Sequence, residues 1–416
     1  MDETVLAMAR EAKSASRRLS SIPESTLNAA LEAMAVALTN SQELLLLENA
    51  KDLKAGKERG MSSALLDRLT LTPARICGMV EGLRQVATLP FPVGEVISEA
   101  DRPNGLHISR VRVPIGVIGI IYESRPNVTV DSAALCIKSG NAVILRGGSE
   151  AIHSNVALAE IISKAGEGVG LPTGAIQLIR STDREAAKSL MQAEGLVDLL
   201  IPRGGEALKK TILENARVPV LTSLGGNCHT YIDASADVKM AADIAFNAKV
   251  SRPSVCNAME TLLVHKEVAA ALLPVLVKWL IEAKVEVRGC DRVREICPEA
   301  IAATERDWET EYLDLILAIR VVDSLDEAIQ HIQDYGTGHS EAIVTASDEN
   351  ATMFIAAIDA ACVYVNASTR FTDGFEFGLG AEVGISTQKL HARGPIGLRE
   401  LTTYKYIVTG TGQIRA

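Results

Sequence analysis

The sequence predicts an α/β protein built around two parallel sheets, and three observations carry that prediction. Short apolar runs alternate with helical stretches from about residue 105 to residue 222. A second series of the same kind begins near residue 228. Strand, helix, strand in regular order makes successive strands parallel and places helices on both faces of the sheet. The third observation is LTTYKYIVTG (401–410), a strand-like segment outside both series. An isolated strand needs a partner edge, either the alternating segment at 105–113 or a strand from another subunit.

The 416 residues correspond to two or three domains at ~150 residues each. Hydrophobic residues make up 47% and charged residues 23%, enough for sizeable cores, which excludes global disorder. The formal charge is 42 − 52 = −10, the reverse of the basic surplus of a nucleic-acid binder. Aromatic residues are only 4%, which argues against stacking platforms for single strands. An anionic ligand must therefore be held by a local cluster of donors. No segment reaches the ~18 apolar residues of a membrane span, so no membrane partner is expected. The start, MDETVLAMAREAKSASRR, has neither a basic region leading into an apolar stretch nor a cleavage site. Seven scattered cysteines (Cys77, Cys136, Cys228, Cys256, Cys290, Cys297 and Cys362) contain no C-x-x-C. That is neither a disulfide framework nor a metal site, and it points to a reducing cytoplasm.

Residues 1 to about 90 read as helices covering a sheet, with Leu27, Leu31, Met34, Ala35 and Leu38 at helical spacing. Thr72 and Pro73 form an N-cap and first-turn proline opening a helix through CGMVEGLRQVA. The segment LHISRVRVP then alternates as a half-exposed strand does. After it come IGVIGII (115–121), AVILR (142–146), AIQLI (175–179), LVDLLI (196–201) and VPVLT (218–222) as strands. SNVALAEIISKAGEGV and GEALKKTILENA are helices between them. The second series holds TYID, the helix around VKMAADIAFNAK, TLLVH, ILAIRVV, EAIVT (341–345) and CVYVN (362–366). Ser324 and Glu327 form an S-x-x-E capping box ahead of DEAIQHI.

Phosphate-loop, zinc-protease and nucleophile-elbow motifs are absent, and GLGAEVG (378–384) lacks the spacing and preceding strand of a dinucleotide fingerprint. Two glycine pairs directly follow strands. ILRGGSEA places Arg146, Gly147 and Gly148 at a strand's carboxyl end, and LIPRGGEALKK does so with Arg203, Gly204 and Gly205. Ligands of open parallel sheets bind at those ends, where helix N-termini attract phosphate. Gly-Gly alone is also ordinary turn chemistry; an arginine at each turn points to a phosphorylated cofactor. The sharpest local feature is NAKVSRPSVCNAMETLLVH, in which Cys256 lies between a helix and a strand among small and polar residues. Main-chain amides and Arg252 could lower its thiol pKa there, whereas Cys136, in the apolar helix SAALCIK, reads as structural. A thiolate beside phosphate-binding turns implies covalent acyl chemistry coupled to hydride transfer.

Seven segments carry a wider likeness: RVPIGVIGIIYESRPNVTVDSAALCIKSGNAVILRGG, LIPRGGEALKK, GNCHTYID, RPSVCNAMETLLVH, YGTGHSEAIVT, YVNASTRFTDGFEFGLGAE and STQKLHARGPIGL. Together they resemble the aldehyde dehydrogenase superfamily, and the likeness covers essentially the whole chain. It implies two Rossmann-like parallel-sheet domains plus a small β oligomerisation element. Residues 1–227 would hold the N-terminal helices and NADP-binding domain, with the strand at 105–113 in the oligomerisation element. Residues 228–385 would form the catalytic domain, and 386–416 the C-terminal return and oligomerisation strand.

By the same resemblance Cys256 is the nucleophile and Asn127 in SRPN helps hold the oxyanion, though the surrounding loop departs from the broad superfamily pattern. Arg146 matches the basic residue that reaches the adenosine ribose; a guanidinium there grips a 2′-phosphate, favouring NADPH over NADH. Glu311 in ETEYLD matches the contact to the nicotinamide-side ribose, and His229, Arg370 and His391 are candidates for substrate contacts. Hydrolytic members carry Glu-Leu-Gly-Gly, whose glutamate activates water. Here the run is Ser223-Leu224-Gly225-Gly226, as an enzyme exchanging its thioester with phosphate requires. The implied activity is NADPH-dependent reduction of L-glutamyl 5-phosphate to L-glutamate 5-semialdehyde and phosphate, the second step of proline biosynthesis. A homo-oligomer and contact with glutamate 5-kinase are implied partners. Two competing readings are a cofactor-independent thiol hydrolase using Cys256 with His229, and a non-catalytic scaffold for the kinase.

Overall fold

In the computed structural model the chain is described from Asp2 to Arg415, except for Leu224 and the side chain of Ala64. It divides into two compact units. The first comprises Met1–Thr222, Gly378–Gly384 and Ile396–Ala416, and the second Ser223–Phe377 and Ile385–Pro395.

Helices Glu3–Leu19, Glu24–Asn40, Gln42–Glu58, Ser63–Leu69 and Pro73–Thr88 open the first unit. The second of them buries Leu27, Leu31, Met34 and Leu38, each worth about 1.5–3 kcal/mol when removed from water. Thr72 caps the fifth, its hydroxyl accepting from the Arg75 amide at 3.1 Å with Pro73 at the first position. Next come β1 (Val96–Asp101), β2 (His107–Pro114), β3 (Val117–Tyr122), β4 (Ala142–Arg146), β5 (Ile176–Leu178) and β6 (Leu199–Arg203). The last four form a parallel sheet in the order β5-β4-β3-β6. β3 is buried throughout and β4 up to Arg146, which is why both read as unbroken apolar runs.

Two expectations need correction here. The predicted strand at 218–222 makes only a single bridge, Val220 with Leu200, because Pro219 has no amide to extend a ladder. The strand read at 196–201 starts at Leu199, because Leu196 and Val197 still donate to the Ala193 carbonyl in a turn, at 3.1 and 2.9 Å; the Asp198 carboxylate accepts from the Val117 amide at 2.8 Å and pairs with Lys13 at 2.7 Å. One buried charge was not legible as such. Lys138 is fully buried and donates to Glu24 and Asn28, both at 2.7 Å, and to the Ala87 carbonyl at 3.1 Å, joining three helices.

The second unit holds β7 (Cys228–Ile232), β8 (Met259–His265), β9 (Glu286–Gly289), β10 (Ile301–Ala302), β11 (Ile316–Val322), β12 (Ser340–Val344), β13 (Cys362–Val365), and the short pair β14 (Ile385–Ser386) and β15 (Gly394–Pro395). The first seven make one parallel sheet, ordered β10-β9-β11-β8-β7-β12-β13. Ahead of helix Leu325–Tyr335 the capping box forms only in half. Ser324 accepts from the Glu327 amide at 3.2 Å, but the Glu327 carboxylate accepts from Asp323, at 2.7 Å, rather than from Ser324.

The chain closes with β16 (Thr402–Thr409), which pairs antiparallel with β2 along its whole length in the three-stranded sheet β1-β2-β16. Among the described residues no helix is long and apolar enough to cross a membrane, and no group of three His, Cys, Asp or Glu could hold a metal ion.

Candidate active site

In the second unit Cys256 is half-buried in the turn between helix Val238–Val250 and β8. The turn is pinned from several sides. The Asn257 amide group donates to the carbonyls of Arg370 at 3.3 Å and Thr372 at 2.9 Å, and Thr369 donates to the Asn257 carbonyl at 2.7 Å. The Cys228 thiol donates to the Cys256 carbonyl at 3.2 Å. A Cβ on Gly226 would lie 2.1 Å from that same carbonyl oxygen, so only glycine permits this approach. Arg370 bonds the Asn257 side chain and donates to Ser251 at 3.0 Å. Burial and the like charge of Arg252 hold the Arg370 pKa below its usual range, while Asp373 and Cys256 act the other way. Two guanidinium groups, those of Arg370 and Arg252, thus lie in the neighbourhood of this turn.

Around this turn lie the loops at the amino ends of the strands. Gly225 approaches Glu311 and Thr337; its Cβ would be 3.6 Å from the Glu311 carboxylate and 3.2 Å from Thr337. Thr337 in turn accepts from the Asn227 amide at 3.1 Å. Ser223 is half-buried at the start of this loop, and Leu224 of the same run lies outside the described residues. The Glu311 loop is held by a pair that sequence reasoning missed. Leu313, at φ +54°, donates its amide to Glu260 at 3.0 Å, and the other Glu260 oxygen meets Lys249 at 2.5 Å. Both side chains of this ion pair are fully buried, and burial pushes the Glu260 carboxyl up to about 7 against the pull of Lys249. Removing one partner strands the other charge, so Lys249→Met should lower stability by about 3–5 kcal/mol in denaturant unfolding. A loss below about 1 kcal/mol would contradict this.

His229 is the second residue of β7 and is fully buried. Its Nδ1 lies 3.1 Å from Glu341, whose carboxylate also accepts the His229 amide at 2.7 Å. The side chain thus belongs to the sheet interior, edge-on to His331 with ring centres 5.5 Å apart. His391 is exposed at φ +70° between β14 and β15, an arm tied down where Lys389 and Arg393 both pair with Asp359.

The remaining candidates lie at the carboxyl ends of β3, β4 and β6 in the first unit, where the strand order reverses. Asn127 opens helix Asn127–Lys138; it is exposed and donates to Asp131 at 2.8 Å. Arg146 ends β4 half-buried and donates to the Thr182 carbonyl at 3.2 Å, while its Nε is buried without a partner. Burial lowers its pKa, against the nearby Glu150 and Glu123. Those two carboxylates, both missed from sequence, are already engaged. Glu150 accepts the amide and hydroxyl of Ser124, at 2.6 and 2.8 Å, holding that residue at φ +43°. Glu123 accepts the Gly205 amide at 2.9 Å, so a side chain already occupies the helix N-terminus of the Arg203-Gly204-Gly205 turn. Arg203 itself packs against Gly384, whose Cβ would be 2.6 Å from its guanidinium. At Gly147 a Cβ would come within 2.1 Å of the buried Asn155 side chain, and at Gly148 within 2.1 Å of the Glu150 carboxylate, which would have to shift.

The model of the aldehyde dehydrogenase family matches residues 1–298 and 300–407. The chain is 62% identical over 406 residues to a gamma-glutamyl phosphate reductase of Moorella thermoacetica, covering 98% of this chain and 97% of that protein. The crystal structure of gamma-glutamyl phosphate reductase from Thermotoga maritima superposes with a TM-score of 0.97 at 49% identity, covering 99% of this chain and all of that one. An acetylating aldehyde dehydrogenase from Geobacillus thermoglucosidasius shares the fold, with a TM-score of 0.70 at 17% identity over 100% of this chain and 98% of that one.

Proposed function

We propose a reaction for this chain from one premise: it belongs to the aldehyde dehydrogenase family. It reduces L-glutamyl 5-phosphate to L-glutamate 5-semialdehyde and phosphate, the second step in making proline from glutamate. The observation that carries this reading is the end-to-end likeness to gamma-glutamyl phosphate reductases, in a chain that keeps a pinned thiol at Cys256. The family uses nicotinamide cofactors. NADPH is the finer reading, and the turn after β4 fits it: an arginine with an unpartnered buried Nε stands beside two glycines, the first packed closely against buried Asn155.

The Cys256 thiolate attacks the acyl carbon; a C–S bond forms, the C–O bond to phosphorus breaks, and phosphate leaves. Arg370 and Arg252 supply positive charge for the departing phosphate or the substrate carboxylate, with His391 as a further contact. Asn127 and the Cys256 backbone amide donate to the oxyanion, typically ~3 kcal/mol per donor. A bound NADPH would supply the hydride that takes the thioester to the aldehyde level, and Glu311 would hold its nicotinamide-side ribose. The oxyanion then re-forms the carbonyl, the C–S bond breaks, and Cys256 recovers its electron pair as thiolate. Ser223 offers no carboxylate to activate water, so the thioester survives until hydride arrives.

In this reading the first unit holds the cofactor and the second the nucleophile, and the protein works in the cytoplasm. The exposed Tyr404 and Tyr406 on edge strand β16 support a homo-oligomer built through that sheet, and the lability of the acyl phosphate supports hand-over from the kinase. The test is to generate L-glutamyl 5-phosphate in situ with glutamate 5-kinase and follow cofactor absorbance. NADPH should be consumed in step with phosphate release, and NADH used far more slowly. Arg146→Ala should cut kcat/KM for NADPH by about ten- to a hundredfold, the worth of charge-assisted hydrogen bonds, and leave NADH nearly unchanged. Equal use of both cofactors by the unmodified protein would contradict the role of Arg146. Enzyme-dependent phosphate release without cofactor would favour a thiol hydrolase.

A further inference from the structure

We infer that Asp131 is a positioning residue for the Asn127 amide, fixing which end of that amide is presented as a donor. The inference rests on the reading of Asn127 as an oxyanion donor. The two residues stand one helical turn apart, at i and i+4, and so share a face of helix Asn127–Lys138. Their bond is 2.8 Å, from Asn127 Nδ2 to Asp131 Oδ2.

A carboxamide has two ends of nearly the same shape and opposite hydrogen-bonding character. Only the NH2 end can stabilise a developing oxyanion. An exposed asparagine at a helix start, left alone, samples both orientations. An ionised carboxylate accepts and cannot donate, so Asp131 selects the orientation with nitrogen towards itself. It uses one of the two N–H groups, and the second remains on an amide whose residue is exposed.

The setting of Asp131 makes this selection sensitive to protonation. Helix Pro73–Thr88 presents Gly82 to it, with no charge; a Cβ there would lie 3.8 Å from Asp131 Oδ1. The end of β6 contributes Arg203, whose charge acts on it alongside the Asn127 amide. Burial pushes the carboxyl up to about 6, while Asn127 and Arg203 pull it back down. Once protonated, the carboxyl can donate to Asn127 Oδ1, which would turn the amide round and withdraw its donor. Donor capacity should therefore rise as pH climbs through about 6.

The experiment compares Asp131→Asn, Asn127→Ala and the double variant with the unmodified protein in steady-state reduction of glutamyl phosphate, across pH. Asp131→Asn is isosteric but both donates and accepts, so it no longer selects. Its kcat should fall about tenfold or more, its KM for NADPH should stay within about twofold, and the acid limb of kcat near pH 6 should vanish. Asn127→Ala should fall by about 10²–10³-fold, as for loss of an oxyanion donor. The double variant should be no worse than Asn127→Ala, since a positioning residue has nothing left to position. If Asn127→Ala keeps full kcat, the reading of Asn127 fails and the inference falls with it. If Asn127→Ala is impaired but Asp131→Asn matches the unmodified protein with its acid limb intact, the role of Asp131 alone is overturned. Losses that multiply in the double variant overturn it too, by showing independent structural damage. Should Asp131→Asn fail to fold, the unmodified protein decides: an acid limb near pH 6 that is absent from Asn127→Ala supports the inference, and one retained there contradicts it.

Discussion

Cys256→Ser should lower turnover by at least ~10³-fold while leaving NADPH binding within about twofold. The exchange is nearly isosteric, and the bonds that shape the turn come from Asn257, Thr369, Thr372 and the close approach of Gly226, none of which uses the thiol. What is lost is the nucleophile. A free thiol is a few per cent thiolate at neutral pH and intrinsically a strong nucleophile. A serine hydroxyl is almost never ionised, and His229, the histidine read as a partner for position 256, is spent on Glu341 inside the sheet. Steady-state rates with glutamyl phosphate, alongside a fluorescence titration of NADPH, separate chemistry from binding. A serine variant keeping a tenth of the activity would move the nucleophile elsewhere.

Ser223→Glu should open a hydrolytic leak that the unmodified protein lacks. A thioester on Cys256 can be released by phosphate, hydride or water, and only water needs a nearby base. A carboxylate acting through one water raises that water's reactivity by a typical ~10²–10⁴-fold. Position 223 belongs to the loop whose glycines approach both Cys256 and Glu311, so a carboxylate introduced there enters the same neighbourhood. The variant should oxidise the semialdehyde to free glutamate without phosphate, at a rate well above that of the unmodified protein. An unchanged product ratio would argue against water exclusion by lack of a base.

The sheets were legible because their chemistry is local. Runs such as VIGIIY and ILAIRVV lie in parallel strands covered on both faces, and the Thr72-Pro73 cap needs only neighbours in sequence. VPVLT misled because its apolar character is that of a strand, while Pro219 denies it a ladder. The site was legible by residue type and not by arrangement. Cys256 stands out where a helix meets a strand, but Gly226 and Arg370, which lie near it, and Glu311, which lies beside Gly225, come from distant segments of the chain. Arg146 ends β4 on the carboxyl side that the strand-end rule singles out, whereas the Cys256 turn lies at the amino end of β8. The buried charges Lys138, Lys249 and Glu260 escaped notice because composition marks lysine and glutamate as surface residues, and only tertiary partners make their burial tolerable. Asp131 could have been found from its i, i+4 spacing to Asn127.

On the proposed mechanism a thioester on Cys256 exchanges with phosphate and not with water, and running the reaction backwards separates the two. L-glutamate 5-semialdehyde and NADP⁺ are given to the unmodified protein with and without inorganic phosphate, following NADPH formation and the acid product. With phosphate, NADPH should accumulate together with acyl phosphate, trapped as the hydroxamate. Without phosphate, formation should stop after at most one equivalent per Cys256. Sustained oxidation to free glutamate at full rate in phosphate-free buffer would show that water, not phosphate, releases the thioester.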